Sequence, residues 1–158
     1  MHTFMTINMY LEKAKSPDPV VADIPAFIKE FFPPECVGVI DVHCDPPFQG
    51  WKDLVERADE MPLKYYFSMG CHPHNAKRYN NSIEAIILEA MKHPCSHLFH
   101  TQANVSKCVA WGEMGLDYHY NHSPQDVQQR VLKRQLKLAT SLKKNLVSMS
   151  PIKNLTNV

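Results

Sequence analysis

The stretch that decides the fold is Trp111-Gly-Glu-Met-Gly-Leu-Asp-Tyr-His-Tyr120, which directly follows the apolar run Cys108-Val-Ala110. An apolar run that opens into glycines and carboxylates is typical of a buried strand ending in a polar loop. Gly112 and Gly115 flank Glu113, so the backbone can bend sharply there or be approached closely. Parallel α/β folds place their chemistry at the carboxyl ends of strands, and the pattern therefore predicts a functional carboxylate at Glu113. The plain alternative is a turn with a solvated glutamate.

A second predicted strand end carries two histidines. The aromatic run 64–69 leads into Gly70-Cys-His-Pro-His74, where Pro73 cannot take part in strand pairing. We therefore expect His72 and His74 in a loop just beyond the strand. Such a pair can ligate a metal ion, orient a phosphate or do neither, and the nine histidines of the chain make chance pairs common.

Together, the two strand ends resemble the TatD-type metal-dependent deoxyribonucleases, especially their eukaryotic branch. The similarity includes Gly70-Cys-His-Pro-His-Asn-Ala76 and the Gly-Glu-Met-Gly-Leu-Asp-Tyr motif, and it extends from Ile24 to Leu146. An upstream run, Gly38-Val-Ile-Asp-Val-His-Cys-Asp-Pro46, is similar to the family's preceding strand. The resemblance implies a TIM-type (β/α)8 barrel of the metal-dependent hydrolase class. A complete barrel takes about 250 residues, so this chain is expected to form an α/β partial barrel with three to four βα units.

The resemblance also implies a chemistry, namely cleavage of DNA phosphodiester bonds by water that divalent ions activate. Mg²⁺, Mn²⁺ and Zn²⁺ are the candidate ions. Glu113 is then the expected metal ligand, because carboxylates suit hard divalent ions. His72 and His74 are expected to orient the scissile phosphate, although structural packing is an equal alternative for at least one of them. Asp117 is expected to support the site from behind Glu113.

The remaining metal ligands of the family do not map onto this sequence. The family opens with a strand that ends in His-x-His, and Asp41-Val-His-Cys-Asp45 resembles a degenerate copy of it. Only one strand–helix–strand unit of about thirty residues fits between Asp41 and His72, however. This spacing assigns the segment to the second strand and makes His43 an ordinary strand-end histidine. The later histidine and the late aspartate of the family have no counterpart near or after Val147.

The pattern of the chain suggests four segments. Residues 1–16 are expected to be poorly structured, residues 17–147 to form the partial barrel, residues 95–107 to be an inserted loop, and residues 148–158 to be a divergent tail. With one clear metal ligand, the chain is expected to bind metal poorly and to cleave DNA slowly or not at all.

Two other functional hypotheses remain open. The first is a catalytically inactive, truncated form that associates with a partner through exposed sheet edges. The second is binding of nucleic acid through the basic end of the last helix. That end carries Lys133, Arg134, Lys137, Lys143 and Lys144.

Composition is that of an ordinary α/β domain in the cytoplasm or nucleus. No apolar run is long enough to cross a bilayer, and the first fifteen residues do not resemble a signal peptide. Five cysteines without a Cys-x-x-Cys pair favour reduced thiols. The formal net charge of +1 provides no general basic surface, so contact with DNA is expected only at a local site.

Hydrophobic periodicity predicts alternating strands and helices. The predicted strands are Val37–Val42, Tyr65–Met69 and Val109–Trp111. The predicted helices are one using Val21, Ile24, Phe27, Ile28 and Phe31, one at Trp51–Ala58, one capped by Ser82 and ending near His93, and one at Gln125–Lys144. The last of these is expected to bury Val127, Val131, Leu132, Gln135, Leu138 and Leu142.

Overall fold

Strands and helices alternate along the chain, as the apolar runs and the Gly and Pro residues between them predict. The computed structural model describes residues 28–30, 32–48, 50–56, 61–93, 106–120 and 122–149. The elements, in chain order, are β1 (Gly38–His43), α1 (Trp51–Glu56), β2 (Lys64–Met69), a 3-10 helix (Pro73–Arg78), α2 (Asn81–Lys92), β3 (Cys108–Met114), α3 (Gln125–Ser141) and β4 (Asn145–Ser148).

The four strands form one parallel sheet in the order β1-β2-β3-β4. Met69 lies opposite both His43 and Trp111, and Trp111 lies opposite Leu146, so the carboxyl ends of all four strands meet at one edge. Parallel neighbours joined by helices are the repeating unit of α/β barrels. The predicted fold, an α/β segment of a TIM-type barrel, is confirmed.

The core lies between the sheet and its helices. Tyr65, Phe67 and Met69 alternate along β2 and are fully buried. The Trp51 ring of α1 packs against Phe67 with a centroid separation of 6.1 Å. On the next strand, Trp111 is buried together with Leu132 of α3. Burial of these large apolar and aromatic side chains is the main force that holds the helices on the sheet.

A polar cluster is enclosed within this core. Asp41 accepts a hydrogen bond from the Tyr65 hydroxyl at 3.2 Å and lies 3.3 Å from His43 Nε2. The backbone N–H of Val42 also donates to the Asp41 carboxylate, at 2.9 Å. The His43 ring stands edge-on to Phe67, so it belongs to the core and not to the strand-end loops. This placement agrees with its assignment as an ordinary structural histidine.

Two glycines allow the strand ends to approach each other closely. A Cβ atom on Gly70 would lie 2.6 Å from Cα of Gly112. Gly112 has a φ of +147°, and a Cβ there would overlap the carbonyl of Val147. These positions therefore require residues without side chains.

Several predicted element limits are corrected by the structure. Helix α2 is capped by Asn80, whose side chain accepts the N–H groups of Ser82 and Ile83, so the predicted Ser82 cap is wrong. Strand β3 continues to Met114, which places Glu113 in the strand and not in the loop beyond it. Helix α3 ends at Ser141 and Leu142 is exposed, because the chain turns away there through Lys143 in a left-handed conformation.

Other predictions concern residues outside the described part of the chain. They are the first helix except Ile28, the segment 1–16, most of the inserted loop 95–107 and most of the tail 148–158. Within the described ranges, no helix is both long enough and apolar enough to span a membrane. The described cysteines, Cys36, Cys44, Cys71 and Cys108, carry free thiols, as expected.

Candidate active site at the strand ends

The loops after β1 and β2 are joined by backbone hydrogen bonds. Gly70 N–H donates to the His43 carbonyl and His72 N–H donates to the Cys44 carbonyl, each at 3.0 Å. The ladder between the two strands thus continues past their ends and carries His72 to the edge where β3 presents Glu113. Asn75 strengthens this junction by donating its side-chain amide to Asp45 at 2.5 Å.

His74 and Asp117 form a direct pair across the site. His74 Nε2 lies 2.7 Å from Asp117 Oδ2, and the two side chains are 28% and 16% exposed. The other carboxylate oxygen of Asp117 accepts the backbone N–H of His119 at 2.9 Å. The hydrogen bond with His74 is the main reason that the pKa of Asp117 lies below its usual range. Asp117 is therefore ionised at neutral pH and fixes the orientation of the His74 ring.

His72 lies beside this pair and is oriented by the backbone. Its Nδ1 accepts the N–H of His74 at 3.2 Å, which caps the 3-10 helix. The ring centroids of His72 and His74 are 4.3 Å apart. Burial lowers the pKa of His72, and His74 lowers it further, so the ring is neutral at pH 7. Because Nδ1 is the acceptor, Nε2 carries the proton and can donate it to an anion.

Glu113 occupies a separate, acidic part of the same edge. It is half-buried, and burial raises its pKa, with Asp45 raising it further. Cys44 is affected by the same carboxylates: burial raises its pKa most, and the negative charges of Asp45 and Glu113 raise it further. Within the described residues, no hydrogen bond joins Glu113 to His72 or His74. The predicted site residues therefore form two groups, His72–His74–Asp117 and Glu113 with Asp45.

The described residues do not by themselves fit a metal ion. No group of three or more His, Cys, Asp or Glu side chains in this part of the chain is arranged to hold one. Glu113 has the right chemistry for a hard divalent cation, but one carboxylate competes poorly with water for it. The raised pKa of Glu113 reflects its burial first and the nearby negative charge of Asp45 second.

Two buried glutamines of α3 hold the two loops in place. Gln135 accepts the N–H of Cys71 at 2.8 Å and Trp111 Nε1–H at 3.1 Å, and it donates to the Cys71 carbonyl at 3.1 Å. Gln128 accepts the N–H of Asp117 and donates to the carbonyls of Asp117 and Ser123, each at 2.9 Å. One helix thereby sets the positions of both the histidine loop and the Asp117 loop.

Sequence reasoning found these glutamines only in part. Periodicity predicts Gln135 on the inward stripe of α3, but it does not identify Gln128. A signal was available, since the two residues are seven apart and lie on one face of a helix. Polar residues on such a stripe must satisfy their hydrogen bonds internally, which indicates loops docked on the helix.

Ser123 adds a further connection between the loops. Its hydroxyl donates to the His74 carbonyl at 2.7 Å and accepts the backbone N–H of Lys77 at 3.1 Å. The predicted basic helix end, in contrast, is partly engaged in contacts within the chain. Arg134 pairs with Glu84, and Lys144 Nζ donates to the Met91 carbonyl at 3.3 Å.

A parallel α/β sheet with its polar groups at the strand carboxyl ends defines the class of barrel-type proteins whose sites lie at that edge. Residues 15–148 match the model of the family described as TatD related DNase. The chain therefore belongs to the TatD related DNase family, as its motifs predict.

Curated relatives agree with this membership, and a solved structure shares the fold. The chain is 42% identical over 120 residues to the human 3'-5' RNA nuclease TATDN2, covering 73% of this chain and 14% of that protein. It is 36% identical over 91 residues to YabD of Bacillus subtilis, an uncharacterized metal-dependent hydrolase, covering 56% of this chain and 31% of that protein. The crystal structure of YJJV, a TatD homologue from Escherichia coli, matches 71% of this chain and 38% of that one, with a TM-score of 0.52 and 22% identity. This last similarity concerns the fold.

Proposed function

We propose that this chain acts in the hydrolysis of phosphodiester bonds of nucleic acid, with DNA as the predicted substrate. The observation that carries the proposal is the grouping of a neutral, oriented His72, the His74–Asp117 pair and the half-buried Glu113 at one edge of a parallel sheet. The human relative is named as an RNA nuclease, so RNA is tested beside DNA.

Each group has a distinct proposed role. His72 donates its Nε2–H to a phosphate oxygen, because its other nitrogen is occupied by the backbone N–H of His74. Asp117 orients the His74 ring, which packs beside His72 and keeps it in place. Glu113 is the proposed metal ligand, because it is a half-buried carboxylate at the strand ends and carboxylates suit hard divalent ions.

Activity of this chain is proposed to be impaired. A divalent ion would supply an activated water and would neutralise the developing charge on phosphate. The described residues offer Glu113 without a set of three ligands around it, so we expect weak metal binding and slow turnover. The chain spans 14% and 31% of the lengths of the two curated relatives. An activity of the full-length relatives is therefore only proposed for this chain.

The test is cleavage of end-labelled single-stranded DNA and RNA of one sequence, with Mg²⁺, Mn²⁺ or Zn²⁺ added in turn. We expect slow cleavage that is abolished in Glu113→Ala and reduced about 100- to 1,000-fold in His72→Ala, which loses a hydrogen-bond donor to the reacting phosphate. Val37→Ser is the matched control, because Val37 is exposed at the opposite, amino end of β1. Equal products from the wild type and Glu113→Ala would identify a contaminating nuclease and overturn the proposal.

The inactive, partner-binding form is the second candidate. It is favoured by β4, which is an edge strand of the described sheet and exposes Leu146, with Met149 exposed just beyond it. Analytical ultracentrifugation of the wild type and of a Leu146→Lys, Met149→Lys double variant tests it. Association lost in the variant, without metal-dependent cleavage in either protein, supports this candidate.

The domain limits 17–147 and the cytoplasmic or nuclear location stay predictions.

A further inference from the structure

Four aromatic side chains crowd the loop between β3 and α3, and the proposed chemistry uses none of them. They are Tyr118, His119, Tyr120 and His122, which we call the aromatic loop. Tyr118 and Tyr120 are 46% and 52% exposed, although large aromatic groups gain most from burial. Adjacent exposed aromatic residues next to a candidate active site indicate a binding surface more than a packing defect.

The rings form a continuous set that begins at His74. The centroid of His74 lies 5.4 Å from that of Tyr120 and 4.7 Å from that of His122, both in edge-on geometry. Tyr120 and His122 are close to parallel, with an interplanar angle of 20° and a separation of 5.8 Å. His119 stands edge-on to Tyr120 at 4.6 Å. A flat ligand placed on the exposed part of Tyr120 would therefore lie beside the histidine pair.

The loop is held in this arrangement before any ligand binds. Asp117 accepts the backbone N–H groups of His119 and Tyr120, at 2.9 and 3.4 Å. The Tyr118 hydroxyl accepts a hydrogen bond from the Gln129 amide at 2.8 Å. Binding to a surface that is already ordered loses little conformational entropy, which favours affinity.

We propose that the aromatic loop is a stacking site for an unpaired nucleobase, with Tyr120 as its main contact. This inference rests on the proposed function and adds to it a subsite for one base. The base must be unpaired, because a base inside a duplex has no free face. Every base can stack on an aromatic ring, so the site would select a single strand and fix its position without selecting a base sequence. The phosphate beside the stacked base would then reach the His72 ring, which lies 4.3 Å from His74.

Charge on the neighbouring helix suits such a ligand. Lys77 and Arg78 end the 3-10 helix and are exposed, and the backbone of Lys77 is tied to Ser123, the residue after His122. Basic groups flanking aromatic rings are the combination by which proteins bind single strands. A protein partner would not need these cations next to the rings.

The test is a binding measurement that excludes cleavage. Fluorescence anisotropy with labelled eight-nucleotide DNA, in EDTA, is compared for a normal strand, an abasic strand of equal length and a duplex. We expect the wild type to prefer the normal strand. Tyr120→Ala should weaken binding of that strand about tenfold and leave the abasic strand unchanged, since stacking is lost and phosphate contacts remain. Tyr120→Phe should restore the preference, and Val37→Ser should not alter it.

The outcomes separate this inference from the proposed function. Base-dependent binding that survives in Glu113→Ala, without cleavage by any variant, supports the stacking site and contradicts the nuclease. Cleavage that depends on Glu113, with equal affinity for normal and abasic strands, supports the nuclease and contradicts the stacking site. Equal losses for both strands in Tyr120→Ala would show a structural role and overturn the inference. Equal binding of duplex, or absence of nucleic-acid binding by the wild type, would overturn it as well.

Discussion

The described part of the chain includes two histidine–aspartate contacts of the same chemistry in different surroundings. His43 and Asp41 are 4% and 0% exposed and are enclosed with Tyr65 between the sheet and α1. His74 and Asp117 lie at the strand ends, where they are 28% and 16% exposed and are held by the loops around them. The first pair stabilises the junction of β1 and β2, whereas the second can meet a ligand. Position relative to the strand end, not residue type, decides which pair is available for chemistry.

The largest expected effect comes from removing the core carboxylate. Asp41→Ala takes away the acceptor of the buried Tyr65 hydroxyl and of the partly buried Val42 N–H. It also removes the buried partner of His43. We expect the free energy of unfolding to fall by about 3–5 kcal/mol. Asp117→Ala should change it far less, because water replaces the lost contact. Urea unfolding of both variants checks this, and equal losses would remove the distinction between the two pairs.

The next effect concerns α3, the helix whose glutamines hold the loops of His74 and Asp117 in place. Gln135→Leu leaves the Cys71 N–H and the Trp111 indole N–H without their acceptor in a buried setting. The expected loss in unfolding free energy is about 3 kcal/mol. Gln135→Glu keeps an acceptor and should lose less. Urea denaturation measures both variants, and an unchanged stability in Gln135→Leu would mean that the histidine loop does not depend on Gln135.

A third change, Glu113→Gln, is expected to raise the free energy of unfolding, whereas Asp41→Ala lowers it. The pKa of Glu113 is raised, so the folded state binds its proton more tightly than the unfolded state does. Stability therefore falls as the pH rises from the unfolded pKa, about 4.3, through the folded one. Glu113→Gln should be more stable than the wild type at pH 7 and equal to it below about pH 4. Denaturant midpoints between pH 3.5 and 7.5 measure this. A less stable variant at pH 7 would indicate a structural glutamate.

The smallest expected effect is a change in the pKa of Asp117, which depends on its contact with His74. Hydrogen bonding to His74 holds the pKa of Asp117 low, so its contribution to stability is present above the unfolded pKa, about 3.9. That contribution is lost as the pH falls through the folded pKa. His74→Ala should raise the pKa of Asp117 towards its ordinary value. Carbon-13 NMR titration of the Asp117 carboxyl detects the change, and an unchanged titration would show that the pair does not form in solution.

Part of this picture follows from sequence and part depends on tertiary contacts. Apolar runs, with Pro73 and the glycines, predict the parallel strands and place His72, His74 and Glu113 at their ends, because strand periodicity and breakers are local properties. The limits of α2 and α3 were missed by a few residues, since Asn80 and Ser82 are both good caps and Leu142 fits the apolar stripe. Gln128 shares a helix face with Gln135, but its partners are backbone groups of Asp117 and Ser123, and the sequence does not show which loop they belong to. The pairing of His74 with Asp117 joins two loops 43 residues apart and is visible only in three dimensions.

The close approach of Gly70 and Gly112 has a consequence for how mutational data on this chain are interpreted. Both sit where strand tips touch through main-chain atoms, and any added methyl group would wedge the tips apart. A saturation screen for activity should therefore find some of its least tolerant positions at residues that possess no reactive group. Such a result would show that the spacing of the strand ends is as important to the site as the imidazole and carboxylate side chains near them.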